Sequence, residues 1–359
     1  MQAGFNDRRP VRMACAFLML LLLKNEIPNM KRFTSQAKHG LHLCCALLAW
    51  PWLVWGQGVE SWPNRPISLV VASAAGSGVD VIARETAQKL SIALKQPVVV
   101  DNKPGASGVL AGTTVARSKP DGYTWLYTNA SFMAVAPAVM RKMPYEPNKD
   151  LTPVAITAAG GVLLLVNKDV PANNLKELVA LVKANPNAYS YGTWGVGSSA
   201  HLQMTWLQKQ AGLKMNHVPY KSTPQIVNEL AAGILQIGWT DPGTPVPLIE
   251  SKQIKGIAIS GNVRAPRTTG IATMSEQGYS FDAVGWFGVF APAQVPKPII
   301  ERMNAEINKI LKTPEMAKRM EGMNIEPPPV KTVDEFKAIL AKDLKTWHSI
   351  ASDSEIVLD

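Results

Sequence analysis

From Pro66 onward, short apolar runs of strand length alternate with longer segments whose apolar residues recur every three or four positions. That alternation restricts the chain to an α/β fold before composition is considered. Ile67 to Ala72 is a near-continuous apolar run, as in a strand buried on both faces of a parallel sheet. Val79, Ile82, Ala83, Thr86, Leu90, Ala93 and Leu94 then share one face of a helix predicted from about Gly78 to Leu94. Pro97 to Asp101 reads as a second strand, Asn102-Lys103-Pro104-Gly105 as a turn, Val109 to Ser118 as a short helix, and Tyr123 to Thr128 as a third strand. Strands joined by helical crossovers run parallel, and ligands of such sheets lie beyond the carboxyl ends of the strands. The loops Ser73 to Asp80 and Thr128 to Ser131 are therefore the places to expect a site.

The pattern then restarts. A strand near Val162 to Asn167 precedes an Asn174–Glu177 capping pair that opens a helix to about Ala184, and Tyr189 to Thr193 is again a strand. Gly195-Val196-Gly197-Ser198-Ser199 leads into a helix to about Gln210, and Ser222 with Gln225 is expected to cap the next. Strands are expected at Leu235 to Trp239, Ile254 to Ser260 and Gly285 to Ala291. Two helices close the chain, one with the stripe Ile299, Ile300, Met303, Ile307, Ile310 and Leu311, the other capped by Thr332 and Glu335. Assigned to the first sheet, they make residues 59–161 with 279–359 one domain and 162–278 an inserted second domain. The two crossing segments then form a hinge. A length of 359 residues with 47% apolar side chains suffices for two such cores.

Residues 1–58 read as a leader. Met30-Lys31-Arg32 opens a basic stretch to Lys38, an apolar run follows from Leu41 to Trp55, and Gly56-Gln57-Gly58 offers small residues for cleavage. This is the order of a secretory signal starting at Met30, with residues 1–29 an upstream extension; an N-terminal anchor is the alternative. All three cysteines, Cys15, Cys44 and Cys45, fall in this leader, so the remainder has no thiol for catalysis, disulfides or zinc. Without the leader the net charge falls from +10 to +5, and the basic residues are scattered, which excludes a nucleic-acid interface as the leading reading.

Two glycine-bearing loops carry the chemistry. Ser73-Ala74-Ala75-Gly76-Ser77-Gly78 and Gly195-Val196-Gly197-Ser198-Ser199 each join a buried strand to a helix, whose free N–H groups and positive dipole end favour an anion. Two such helix starts facing each other across a cleft suit a carboxylate; helix capping by the serines and Asp80 is the structural alternative for each loop taken alone. The first loop lacks the third glycine of a dinucleotide fingerprint. Ser198, Ser199 and His201 are too close in sequence to act as nucleophile and base, and there is no Gly-x-Ser-x-Gly elbow. The three histidines beyond the leader, His201, His217 and His348, have no metal-ligand spacing. Asp241 is either a ligand contact or a cap before Pro242.

The order Trp62-Pro63, Arg65-Pro66-Ile67, Gly76-x-Gly78-x-Asp80, Pro97-Val98-Val99-Val100-Asp101-Asn102-x-Pro104-Gly105-Ala106 and Pro120-Asp121-Gly122-Tyr123-Thr124 resembles the substrate-binding proteins of tripartite tricarboxylate transporters, the Bug (Bordetella uptake gene) family. Tyr191-Gly192-x-x-Gly195-x-Gly197-Ser198, His201-Leu202, His217-Val218-Pro219-Tyr220-Lys221 and Trp286-Phe287-Gly288-x-x-Ala291-Pro292 continue the resemblance to the C-terminus. It implies a periplasmic binding protein of type II-like fold, two α/β domains with a ligand cleft between them and a two-segment hinge. It further implies a monomeric, cofactor-free, non-enzymatic receptor that takes a small organic acid to the permease subunits of the transporter. A sensor that signals to a membrane kinase, or an enzyme on the same scaffold, are the alternatives.

The ligand residues it implies are Ser73, Ala74, Ala75, Gly76, Ser77, Gly78 and Asp80 in the first loop, with Thr128, Asn129 and Ala130 after the third strand. In the second domain they are Trp194, Gly195, Val196, Gly197, Ser198, Ser199 and His201, with Thr240 and Asp241. The sequence departs from the family in its first loop, where prolines give way to Ser73, Ala74 and Ala75, and where Val79 stands for a threonine. The family's acid at position 240 is here Thr240. Trp194 replaces a small residue, and either lines the cleft, favouring a ligand with an apolar or aromatic body, or packs on the outer surface.

Overall fold

The apolar runs build two five-stranded sheets of one topology. The computed structural model describes residues 62–105, 108–281, 285–354 and 356–358; the expected leader and Ala106 lie outside them. In the first sheet β1 (Ile67–Val71) pairs in parallel with β2 (Val98–Asn102) on one side and β3 (Thr124–Asn129) on the other. The returning strand β10 (Gly285–Pro292) adds antiparallel to β3, and β4 (Leu151–Gly160) closes the edge, giving the order β2-β1-β3-β10-β4. The second sheet repeats this with β7 (Asn216–Pro219), β6 (Ser190–Thr193), β8 (Ile237–Thr240), β5 (Leu163–Asn167) and β9 (Ile254–Ile259), in that order. β5 is the antiparallel member and is buried along its whole length.

Helices cover both faces of each sheet. On the first sheet, α1 (Gly78–Leu94) buries Val79, Ile82, Ala83, Thr86, Leu90 and Leu94, the three-and-four stripe read from sequence. With it in one core are Trp125 and Tyr127 of β3 and residues of two later helices. The opposite face meets α2 (Val109–Ala116), a single π-helical turn at Ser131–Val135 and α3 (Ala136–Val139). The short α4 (Pro147–Asp150) leads into β4. On the second sheet, α5 (Leu175–Ala184) and α6 (Ser199–Ala211) share a core with Tyr191 and Trp239, while α7 (Thr223–Ala231) and α8 (Val246–Glu250) cover the other face. The helices α9 (Lys297–Leu311), α10 (Pro314–Gly322) and α11 (Val333–Ser354) return to the first sheet, α9 and α10 beside α1 and α11 on the opposite face.

Three features depart from expectation. β4 was not anticipated, because Pro153 interrupts the pattern; the strand tolerates it at the sheet edge, where the β10 pairing shifts register between Val289 and Phe290, opposite Pro153. β10 and β5 make both sheets mixed rather than parallel. Ser222 stands at the start of α7, but its side chain makes no cap bond, and Gln225 instead donates to Glu229 at 3.3 Å. The other expected caps form: Asn174 accepts from the Glu177 amide and Thr332 from that of Glu335.

The chain leaves the first sheet at Gly160-Gly161 and returns at Gly285, which pairs with Gly160. Gly161 has no room for a side chain, since a Cβ there would lie 1.9 Å from the Ser260 carbonyl oxygen. Gly161→Ala is therefore expected to destabilise by about 1–3 kcal/mol through backbone displacement. Gly270→Ala, where nothing lies within 4 Å of the added carbon, should stay near neutral, both read as urea midpoints at unchanged slope.

Candidate functional site

Both glycine loops fold into the same device. Gly76 has φ +80°, a conformation glycine adopts without strain, and its N–H donates to Asp80 Oδ2 at 2.8 Å while Ser77 Oγ accepts from the Asp80 amide at 3.3 Å. In the second lobe Gly197 has φ +70°, its N–H donates to His201 Nδ1 at 3.1 Å, and Ser198 Oγ accepts from the His201 amide at 3.3 Å. Each helix thus begins with a glycine, a capping serine and a side-chain acceptor four residues after the glycine. The glycine amide is consumed internally. The first-turn amides of Gly78 and Val79 in α1, and of Ser199 and Ala200 in α6, have no acceptor within their own helices, and they sit at the positive dipole ends.

The acceptors differ in charge. Asp80, 2% exposed, also receives Arg84 Nε at 2.9 Å and Asn102 Nδ2 at 2.8 Å, and Asn102 reaches back to the Ser73 carbonyl at 3.0 Å. Burial pushes this carboxyl up, but the bonds from Arg84, Asn102 and Gly76 outweigh it and hold it below the usual carboxylate value. His201 accepts at Nδ1 and is therefore neutral, with its proton on Nε2. It stacks on His217 with centroids 3.8 Å apart. The Thr193 hydroxyl donates to the Gly195 carbonyl at 3.1 Å, so it accepts from His217 Nε2 at 2.7 Å.

The lobes meet beside α6. Ser131 Oγ donates to Ser199 Oγ at 2.8 Å, both residues being buried. Leu202 of α6 joins the first lobe's core, and Trp206 packs on Phe281, which packs on Trp347 of α11. A Cβ on Gly197 would lie 2.6 Å from Leu358 and 3.1 Å from Val139, so the C-terminal residues of the first lobe abut the second loop. Farther along, Asn324, buried and at φ +59°, donates to the Pro242 carbonyl at 2.8 Å and to Thr268 Oγ1 at 3.0 Å.

The remaining residues singled out from sequence fall as follows. Ala74, Ala75 and Gly76 are exposed, whereas the hydrogen bonds of their loop run within its own lobe, to Asn102 and Arg84. Asn129 Oδ1 accepts from the Phe132 amide, Ala130 and Thr128 are buried, and Thr240 Oγ1 donates to the Asp241 carbonyl. Asp241 spends its carboxylate on its own loop, accepting from the Gly243 and Thr244 amides and from Thr244 Oγ1. Gly195 has φ +128°, Val196 is 44% exposed, and Trp194 is half-buried against its own lobe's core. Sequence reasoning placed Ser131 in an expected site loop, and Asn102 and His217 only in a turn or a family motif, without the bonds they make; it did not mention Asn324. The parallel register of β1 and β2, which places Asn102 beside Val71, was the signal for Asn102; nothing local marked Asn324.

Two α/β lobes of one strand order, crossed twice by the chain, define a bilobed binding protein of the periplasmic class. Residues 82–355 match the model of the tripartite tricarboxylate transporter family receptor, and the chain belongs to that family. It is 30% identical over 297 residues to protein BugT of Bordetella pertussis, covering 82% of this chain and 91% of BugT. Among solved structures it resembles R. palustris Rpa4515 with adipate (28% identity, TM-score 0.76, covering 82% of this chain and 99% of that one). It also resembles MatC from Rhodopseudomonas palustris with bound malate (27% identity, TM-score 0.73, covering 81% and 100%).

Burial lowers both stacked imidazoles to a pKa of about 4, and for His217 the neighbouring His201 adds to this. An unfolded histidine titrates near 6.5, so between about pH 6.5 and 4 the unfolded chain binds more protons. The stability this pair contributes is full above about pH 6.5 and is lost as pH falls through about 4. The urea midpoint should drop across that window, and His217→Gln should show a shallower drop than the parent.

Proposed function

We propose that this chain is an exported, non-catalytic receptor that captures a small organic acid between its lobes and passes it to the membrane permease subunits of a tripartite tricarboxylate transporter. The observation that carries this reading is the duplicated helix start: two sets of first-turn amides, each shaped by an internal glycine bond, with no acceptor of their own. Adipate and malate in Rpa4515 and MatC are acids of the size and charge such amides suit. The ligand carboxylate rests on backbone N–H groups of residues 73–80 and 195–199, with 128–130 and the Thr240-Asp241 turn beside it.

Receptor rather than enzyme is favoured by the serine and histidine geometry. Ser198 Oγ accepts from the His201 amide while His201 Nδ1 accepts from Gly197, so the imidazole is committed to shaping the loop and not to activating a hydroxyl. Export is supported by the basic-then-apolar order of residues 30–58. Among the described residues no helix is long and apolar enough to cross a membrane.

A thermal-shift series with mono-, di- and tricarboxylates tests the proposal. A fitting acid at a hundredfold excess over its dissociation constant should stabilise by about 2.7 kcal/mol, visible as a higher melting temperature. A melting temperature indifferent to every acid would refute capture.

A further inference from the structure

We infer that Gln203 and Thr128 read a hydrogen-bonding substituent, a hydroxyl or an amino group, on the carbon chain of the captured acid. The inference rests on the proposed function and deepens it, since it names which acids the receptor prefers. Gln203 and Thr128 are each 1% exposed, and neither Gln203 Oε1 nor Thr128 Oγ1 has a hydrogen-bond partner. A buried polar atom without a partner destabilises the fold, and an apolar side chain of the same size would not. Such atoms are retained where a partner arrives from outside the chain.

The elements that carry them, α6 and the end of β3, meet where the lobes touch. Gln203 stands one helical turn after Ser199 and on the same face of α6, and helical side chains lean toward the N-terminus, which brings its amide back toward the loop end. Ser199 is the residue bonded across to Ser131. Leu202, next to Gln203, belongs to the core cluster that also contains Leu126 and Ala130. Leu126 lies on the same face of β3 as Thr128, because side chains of a strand alternate, and Ala130 follows just beyond the end of the strand. The two orphaned atoms thus belong to elements that meet at the start of α6, where the first-turn amides stand.

Their chemistry selects the substituent. Gln203 Oε1 is an acceptor and needs a donor; Thr128 can donate or accept. A hydroxyl or ammonium group satisfies both, whereas a methylene satisfies neither, and a second carboxylate would meet the lone pairs of Gln203 Oε1. Sites that hydrogen-bond a substituent discriminate strongly against the analogue that lacks it, because their own polar groups are then left unpaired.

Calorimetric titration of the purified protein with succinate, malate and aspartate, which share one four-carbon frame, tests this, with adipate and its 2-hydroxy and 2-amino forms as a longer matched set. In at least one set a substituted acid should bind about tenfold or more tightly than the plain one. Gln203→Met and Thr128→Val should each shrink that ratio to about threefold or less by weakening the substituted acid alone, with melting temperatures at or above the parent's. Thr128→Val carries the test by itself where Gln203→Met fails to fold. A parent without preference, variants that keep it, or variants that lose both acids alike would overturn the inference while leaving acid capture standing. Absence of binding by every acid would overturn the proposed function and this inference with it.

Discussion

The bond from a left-handed glycine N–H to the side chain four residues later, Gly76 to Asp80 and Gly197 to His201, is the constraint on which the site depends. It ties the end of each loop to the first turn of the helix that follows, and the next amides have no acceptor within the helix. The two acceptors give the lobes different electrostatic characters. Asp80 brings a negative charge to the start of α1, offset by Arg84 and Asn102. The neutral imidazole of His201 brings no charge to the positive end of α6.

That device is repeated because the topology is repeated. Each sheet holds in second position the strand that runs into a glycine loop and helix, β1 and β6, and in fourth position an antiparallel strand, β10 and β5. The chain leaves the first sheet at Gly160-Gly161 and re-enters it at Gly285, which pairs with Gly160. Further contacts hold the lobes together: Ser131 with Ser199, Leu202 in the first core, and Asn324 donating to the Pro242 carbonyl.

Much of this was legible in sequence where periodicity was strong. The bounds of α1 followed from its apolar stripe, and the second glycine loop was readable as a repeat of the first. β4 was not legible, because a proline at a sheet edge looks like a proline in a turn until the partner strand is known. Ser222 and Gln225 matched a capping pattern that the helix does not use. The contacts between lobes, such as Asn324 to Pro242 across 82 residues, carry no local signal at all. The roles of Asp80 and His201 fell between these cases: both were visible as first-turn residues, but their shared task of holding a glycine amide required coordinates.

A crystal structure of the protein with a bound organic acid tests the central claim most directly. The account predicts carboxylate oxygens about 2.7–3.1 Å from first-turn amides at the starts of both α1 and α6. A carboxylate held instead by lysine or arginine side chains, with both helix starts facing bulk solvent, would contradict it.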